Sequence, residues 1–111
     1  AAKGLGDGDA YGLSKACANT YTLQLAREKP ELLVNACTPG FIETDLTRTY
    51  ADAVNKSPAE MGMKPPSEGT ASALHLLFSD GLESGQYFGS DALRSPLDRY
   101  RAPGTPAYTG E

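Results

Sequence analysis

Tyr11 and Lys15 stand four residues apart in a stretch without proline. One turn of helix would put them on the same face, with Cβ atoms roughly 6 Å apart. The pairing has a chemical use. A free phenol titrates near about pH 10, too high to exchange protons readily at neutral pH, and a nearby ammonium favours the phenolate. A tyrosine so placed can protonate a carbonyl oxygen as hydride arrives at the carbon, or accept the proton in the reverse direction. With six tyrosines in the chain, a Tyr-x-x-x-Lys match arises by chance about one time in four on composition. The pair therefore needs a second feature beside it.

That feature is Pro39-Gly40. Leu32, Leu33 and Val34 form a near-continuous apolar run closed by these two residues, which predicts a parallel strand buried on both faces. Open α/β sheets bind ligands at the carboxyl ends of their strands. A Pro-Gly turn there leaves the backbone after it open, and Phe41, Ile42, Glu43 and Thr44 supply a peptide edge and a hydroxyl for a polar cofactor group.

The elements that must position these residues follow from local signals. Residues 1–9 read as a Gly- and Asp-rich loop. A helix is predicted over Tyr11–Lys29, with Asp9 as N-cap and Arg27 and Lys29 at the negative pole. Leu13, Cys17, Tyr21 and Leu25 would form its apolar stripe. The 41–66 segment reads as a long excursion, with Ser57, Pro58 and Glu60 starting a short helix inside it. A further helix is expected from Ser67 to Ser79, with Ala71, Leu74, Leu77 and Phe78 on one side. A turn bracketed by Gly81 and Gly85 and a short strand at 86–88 come next, then an irregular charged tail over 91–111. Two strands with crossover helices are the end of a doubly wound sheet rather than a whole one. The fold class is thus α/β, the C-terminal portion of a Rossmann-like doubly wound parallel sheet.

Taken together, Y-G-L-S-K at 11–15 and N-A-C-T-P-G-F-I-E-T-D at 35–45 resemble the short-chain dehydrogenase/reductase family in order and spacing. Ser67-Glu68-Gly69 and Gly85-Gln86-Tyr87-Phe88 match its carbonyl-reductase-like branch, and the resemblance covers residues 10–90. It implies that Tyr11 is the general acid/base, and that Lys15 tunes it and bonds the nicotinamide ribose. It further implies that Pro39, Gly40, Ile42 and Thr44 line the nicotinamide side and that Phe41 covers substrate. The implied activity is reduction of a small-molecule carbonyl to an alcohol with NADP(H), ahead of NAD(H), in a single cytoplasmic NAD(P)-binding domain.

The family's glycine-rich phosphate loop, its Asn-Ala-Gly motif and its carbonyl-polarising serine lie upstream of the tyrosine and have no match here. GLGDG at 4–8 has no strand before it and is not a phosphate loop. The expectation is a piece of a longer enzyme, inactive alone; the alternative is a non-catalytic interaction module derived from the same fold. A net charge of -4 argues against nucleic acid or an anionic membrane as the main partner, and no apolar stretch approaches a membrane span. With one histidine, His75, no His/Cys metal cluster can be assembled, and without a G-x-S-x-G elbow a serine hydrolase is excluded. Cys17 and Cys37 read as reduced, buried thiols.

Overall fold

The computed structural model describes residues 9–110. The loop expected over 1–9, GLGDG included, therefore lies almost wholly outside the described residues.

The first helix, α1 (Ala10–Glu28), starts where its cap predicts. The Asp9 carboxylate accepts the N–H groups of Tyr11 and Gly12, satisfying two of the donors a helix start leaves open. The face it turns inward differs from expectation. Leu13, Cys17 and Tyr21 are exposed, whereas Asn19, Thr22, Leu23, Leu25 and Ala26 are half-buried. Both sides of α1 carry apolar residues, so periodicity admits two stripes, and packing selects the one that meets the Gly85 turn.

The Leu32–Val34 run is not the strand. Leu32 and Leu33 are 51% and 57% exposed, because the chain is still turning after Pro30, with the Leu32 N–H bonded to the Lys29 carbonyl. Strand β1 follows as Ala36–Cys37 and pairs in parallel with β2 (Tyr87–Phe88), Ala36 opposite Tyr87 and Cys37 opposite Phe88. The tail expected to be irregular supplies β3 (Arg94–Ser95), antiparallel to β2. The sheet order is β1-β2-β3, so this is a small α/β unit with a mixed sheet, compatible with part of a Rossmann-like fold.

The crossover from β1 to β2 contains the excursion. Its base is closed by a parallel bridge between Ile42 and Lys64, with the Glu43 N–H bonded to the Lys64 carbonyl and the Lys64 N–H to that of Phe41. Inside it lies a helix that the sequence reading missed, α2 (Asp45–Ala53), opened by a reciprocal capping box of Thr44 and Thr47. The Ser57/Glu60 box also forms. Hydrogen bonds from the Ser57 backbone N–H and its hydroxyl hold the Glu60 carboxyl below the usual carboxylate range. No helix propagates from it. Gly62 takes a φ of 74° and Pro65-Pro66 follow, so the segment ends as a turn.

A 3-10 turn (Pro66–Thr70) leads into α3 (Ala71–Phe78). Here too the inward face is not the expected one. Ala71, Leu74, Leu77 and Phe78 face outward, while Ser72, His75, Leu76 and Ser79 turn toward the sheet. The His75 ring packs 5.3 Å from that of Phe88, and its Nδ1 lies 2.9 Å from the Ser79 hydroxyl. Among the described residues the buried apolar set is Ile42, Ala51 and Met63 of the crossover and Phe88 of β2.

Candidate active site

The first turn of α1 is fixed by Asp9, and Tyr11 and Lys15 project from it together. The Lys15 ammonium lies 5.2 Å from the centroid of the Tyr11 ring, over its face. Tyr11 is 66% exposed, and its hydroxyl forms no hydrogen bond among the described residues. The phenol is thus open to an incoming acceptor, with a fixed positive charge beside it.

The second wall is the end of β1. The Thr38 N–H donates to the Phe88 carbonyl at 3.0 Å, and the Thr38 carbonyl accepts the buried Ser72 hydroxyl at 2.8 Å, which pins the strand's exit. Gly40 then takes a φ of 86°, and a Cβ there would stand 2.9 Å from the Ser90 Cβ. Only glycine meets both conditions without strain.

A cavity of about 850 Å³ brings the two walls together, with Lys15 and Asn19 on one side and Thr38, Gly40 and Phe41 on the other. Of the residues expected at the site, Lys15, Gly40 and Phe41 line this cavity. Tyr11 stands beside it next to Lys15, and Pro39 is an exposed turn residue outside the lining.

Ile42 and Thr44 lie beyond the lining, each with a defined polar state. The Ile42 side chain is buried, its carbonyl accepts the Thr47 hydroxyl at 2.6 Å, and its N–H has no partner among the described residues. The Thr44 hydroxyl accepts the Thr47 N–H at 3.3 Å as the cap of α2. Because the Thr47 hydroxyl proton is committed to the Ile42 carbonyl, the 3.1 Å contact between the two hydroxyls has Thr44 as its donor, and the Thr44 proton is taken up by Thr47. Among the described residues the segment therefore offers one uncommitted donor just past the Gly40 turn, the Ile42 N–H.

The remaining wall was not expected from sequence. Residues 95–101 of the tail cross the cavity, tied to α1 where the Asn19 amide reaches the Leu97 carbonyl at 3.5 Å. The tail holds its shape through Arg101 and Asp91, an ion pair whose side chains are only 7% and 20% exposed. Burial pushes the Asp91 carboxyl up. Hydrogen bonds from Arg101 and from the Gly104 and Leu93 N–H groups, with the Arg101 charge, outweigh it and hold the group below the usual carboxylate range. Asn19, one turn past Lys15 on the same face, was the available sequence signal for this wall. An ion pair across irregular chain leaves none.

Among the described residues no group of three or more His, Cys, Asp or Glu side chains could hold a metal ion, and no helix is long and apolar enough to cross a membrane. No family model matches the chain. No solved structure matches it. Curated relatives do. The chain is 35% identical over 80 residues to Short-chain dehydrogenase/reductase 1 of Saponaria officinalis, spanning 71% of this chain and 23% of that protein. It is 41% identical over 63 residues to (+)-neomenthol dehydrogenase of Arabidopsis thaliana, covering 53% of this chain and 21% of the relative. Salutaridine reductase of Papaver bracteatum is 46% identical over 39 residues, 35% of this chain and 12% of its own length. The chain thus spans less than a quarter of each of these relatives.

Proposed function

Because the chain is related to the short-chain dehydrogenases and reductases, we propose that it carries the proton-transfer half of an oxidoreductase that interconverts a small-molecule carbonyl and its alcohol. The observation that carries the reading is the Tyr11–Lys15 pair beside a cavity that Lys15 and Gly40 line together. Tyr11 gives its phenolic proton to the carbonyl oxygen during reduction and takes it back during oxidation. Lys15 keeps a positive charge next to the phenol and presents donors to a ribose.

A nicotinamide cofactor, when bound, supplies or accepts the hydride. The residues present fit its nicotinamide end. Lys15 faces the cavity, the Ile42 N–H has no partner among the described residues, and the Thr44 hydroxyl would turn from Thr47 to meet a cofactor group. Pro39 sets the turn, and Phe41 presents a half-exposed ring on the substrate side. We assign NADP(H) ahead of NAD(H), and a cytoplasmic setting, on the family branch alone. We take the chain as the C-terminal part of a single NAD(P)-binding domain, so that the activity belongs to a longer protein. A nicotinamide-binding half without a phosphate site loses much of its cofactor affinity.

The exposed Leu74, Leu77 and Phe78 on α3 and Leu13 and Tyr21 on α1 also suit a module that docks on another protein, and this is the second reading. Carbonyl reduction with NADPH separates the two. The chain as it stands, a version extended upstream to the length of its relatives, and Tyr11→Phe in the extended version are assayed side by side. Turnover by the extended wild type alone, with kcat lowered about 10²–10⁴-fold by Tyr11→Phe, is expected. An unchanged rate in Tyr11→Phe, or silence of the extended protein on a broad carbonyl panel, overturns the catalytic reading in favour of the module.

A further inference from the structure

The tail does more than close one side of the cavity. Ser95 and Pro96 are buried against the sheet, and Arg101 is locked to Asp91, to the Ser95 hydroxyl at 2.9 Å and to the Thr105 carbonyl at 2.7 Å. Residues 97–100 are therefore held at both ends and bow across the cavity between these anchors. What they present is charge. Lys15, Lys64, Arg99 and Arg101 all line the cavity against a single carboxylate, Asp98, in a chain whose net charge is -4.

Two of these cations are already matched. Arg101 belongs to Asp91, and Lys64 pairs with Glu68 at 3.3 Å. Lys15 and Arg99 form no ion pair among the described residues, Asp98 included. A cavity wall that collects unmatched positive charge in an acidic chain selects an anionic ligand, since field lines focus in a concave, partly desolvated site. An arginine on a braced segment suits this role, because its planar fork meets a carboxylate or phosphate through two parallel hydrogen bonds.

We propose that Arg99, with Lys15 on the same cavity, receives an anionic group of the bound ligand, a carboxylate or phosphate. The braced tail segment makes Arg99 a specificity-determining residue. The proposal concerns binding and does not depend on hydride transfer. It is tested on the chain itself by backbone amide NMR titration at low salt, where exposed charges are least screened. One arm compares benzoylformate with its methyl ester, and the other compares phenyl phosphate with phenol, each with wild type and Arg99→Gln.

The expected result is at least a tenfold preference for the anionic member of one pair, with shifts at Lys15 and Arg99, and collapse of that preference in Arg99→Gln. Loss of the acid-over-ester preference identifies a carboxylate as the group received, and loss of the phenyl phosphate-over-phenol preference identifies a phosphate. Equal affinities within both pairs for the wild type, or a preference that survives Arg99→Gln, overturn the proposal. Arg99 is exposed, so its replacement leaves the fold in place, and an unchanged β1–β2 amide spectrum verifies this in the same experiment.

Discussion

Replacing Arg101 by alanine should release the tail while leaving the parallel sheet intact. The side chain contributes an ion pair to Asp91, a hydrogen bond to the Ser95 hydroxyl at 2.9 Å and one to the Thr105 carbonyl at 2.7 Å. Breaking a buried pair from one side costs about 3–5 kcal/mol, mostly because the partner charge is left uncompensated. Here the stranded Asp91 keeps the Gly104 N–H at 3.1 Å and the Leu93 N–H at 3.2 Å, and a fifth of its side chain reaches solvent. The cost therefore falls at the low end, about 3 kcal/mol, or roughly a hundredfold in the opening equilibrium of the tail. Total stability for a chain of this length is on the order of 5–15 kcal/mol, so the loss should appear as local opening. Native-state hydrogen exchange reads it directly. The N–H of Tyr108, bonded to the Arg94 carbonyl, and the N–H of Gly104 should exchange about a hundredfold faster. Those of Ala36 and Thr38, bonded across to β2, should barely change. Arg101→Lys, which keeps the charge and loses the fork, should fall between. Equal acceleration at all these amides, or none in the tail, would refute the idea that this pair organises the wall of the site.

Two further outcomes follow from the same geometry. Gly40→Ala should lower the melting temperature by about 10 °C, because an L-residue at a φ of 86° costs roughly 1–2 kcal/mol and its Cβ would press on that of Ser90. Adding Ser90→Gly should recover only the contact part, and a wild-type melting temperature for Gly40→Ala would count against the turn as drawn. Acid should free the tail as well. The Asp91 carboxyl titrates lower folded than unfolded, so its contribution is fully present above the unfolded value of about 4 and is lost as pH falls through the folded one. Tail amides that exchange alike from neutrality to about pH 4 and then open, an effect absent in Asp91→Asn, are the expected pattern once intrinsic exchange rates are corrected for. Opening that begins near pH 6 would contradict it.

Local signals were legible in the sequence wherever a few adjacent residues decide the outcome. Asp9 caps α1 as read, the 86–88 strand forms, and Tyr11 and Lys15 meet because a helix requires it. Choices among faces were not. α1 and α3 each carry apolar residues on two sides, and which side turns inward depends on strands that no helical period encodes. The Thr44/Thr47 box opened α2 without the glutamate that usually announces such a box, while the real Ser57/Glu60 box led nowhere because Gly62 and two prolines follow. Of the residues expected at the site, Lys15, Gly40 and Phe41 come to line one cavity. The tail wall was not legible, since its organiser pairs residues across irregular chain, where charge reads as surface.

The bridge between Ile42 and Lys64 has a consequence for how such a chain can be altered. Its hydrogen bonds fix the two ends of the excursion side by side, so residues 43–63 hang from a closed neck. Closing a longer loop on a preformed neck costs little entropy, about 0.6 kcal/mol for each doubling of length. Insertions can be accommodated at the exposed residues 54–57, between the buried Ala51 and Met63, with little movement of the strand end that leads to Gly40. The tip of the excursion is in that sense a length-tolerant end on a fixed socket, and it can vary while Tyr11 and Lys15 remain in place.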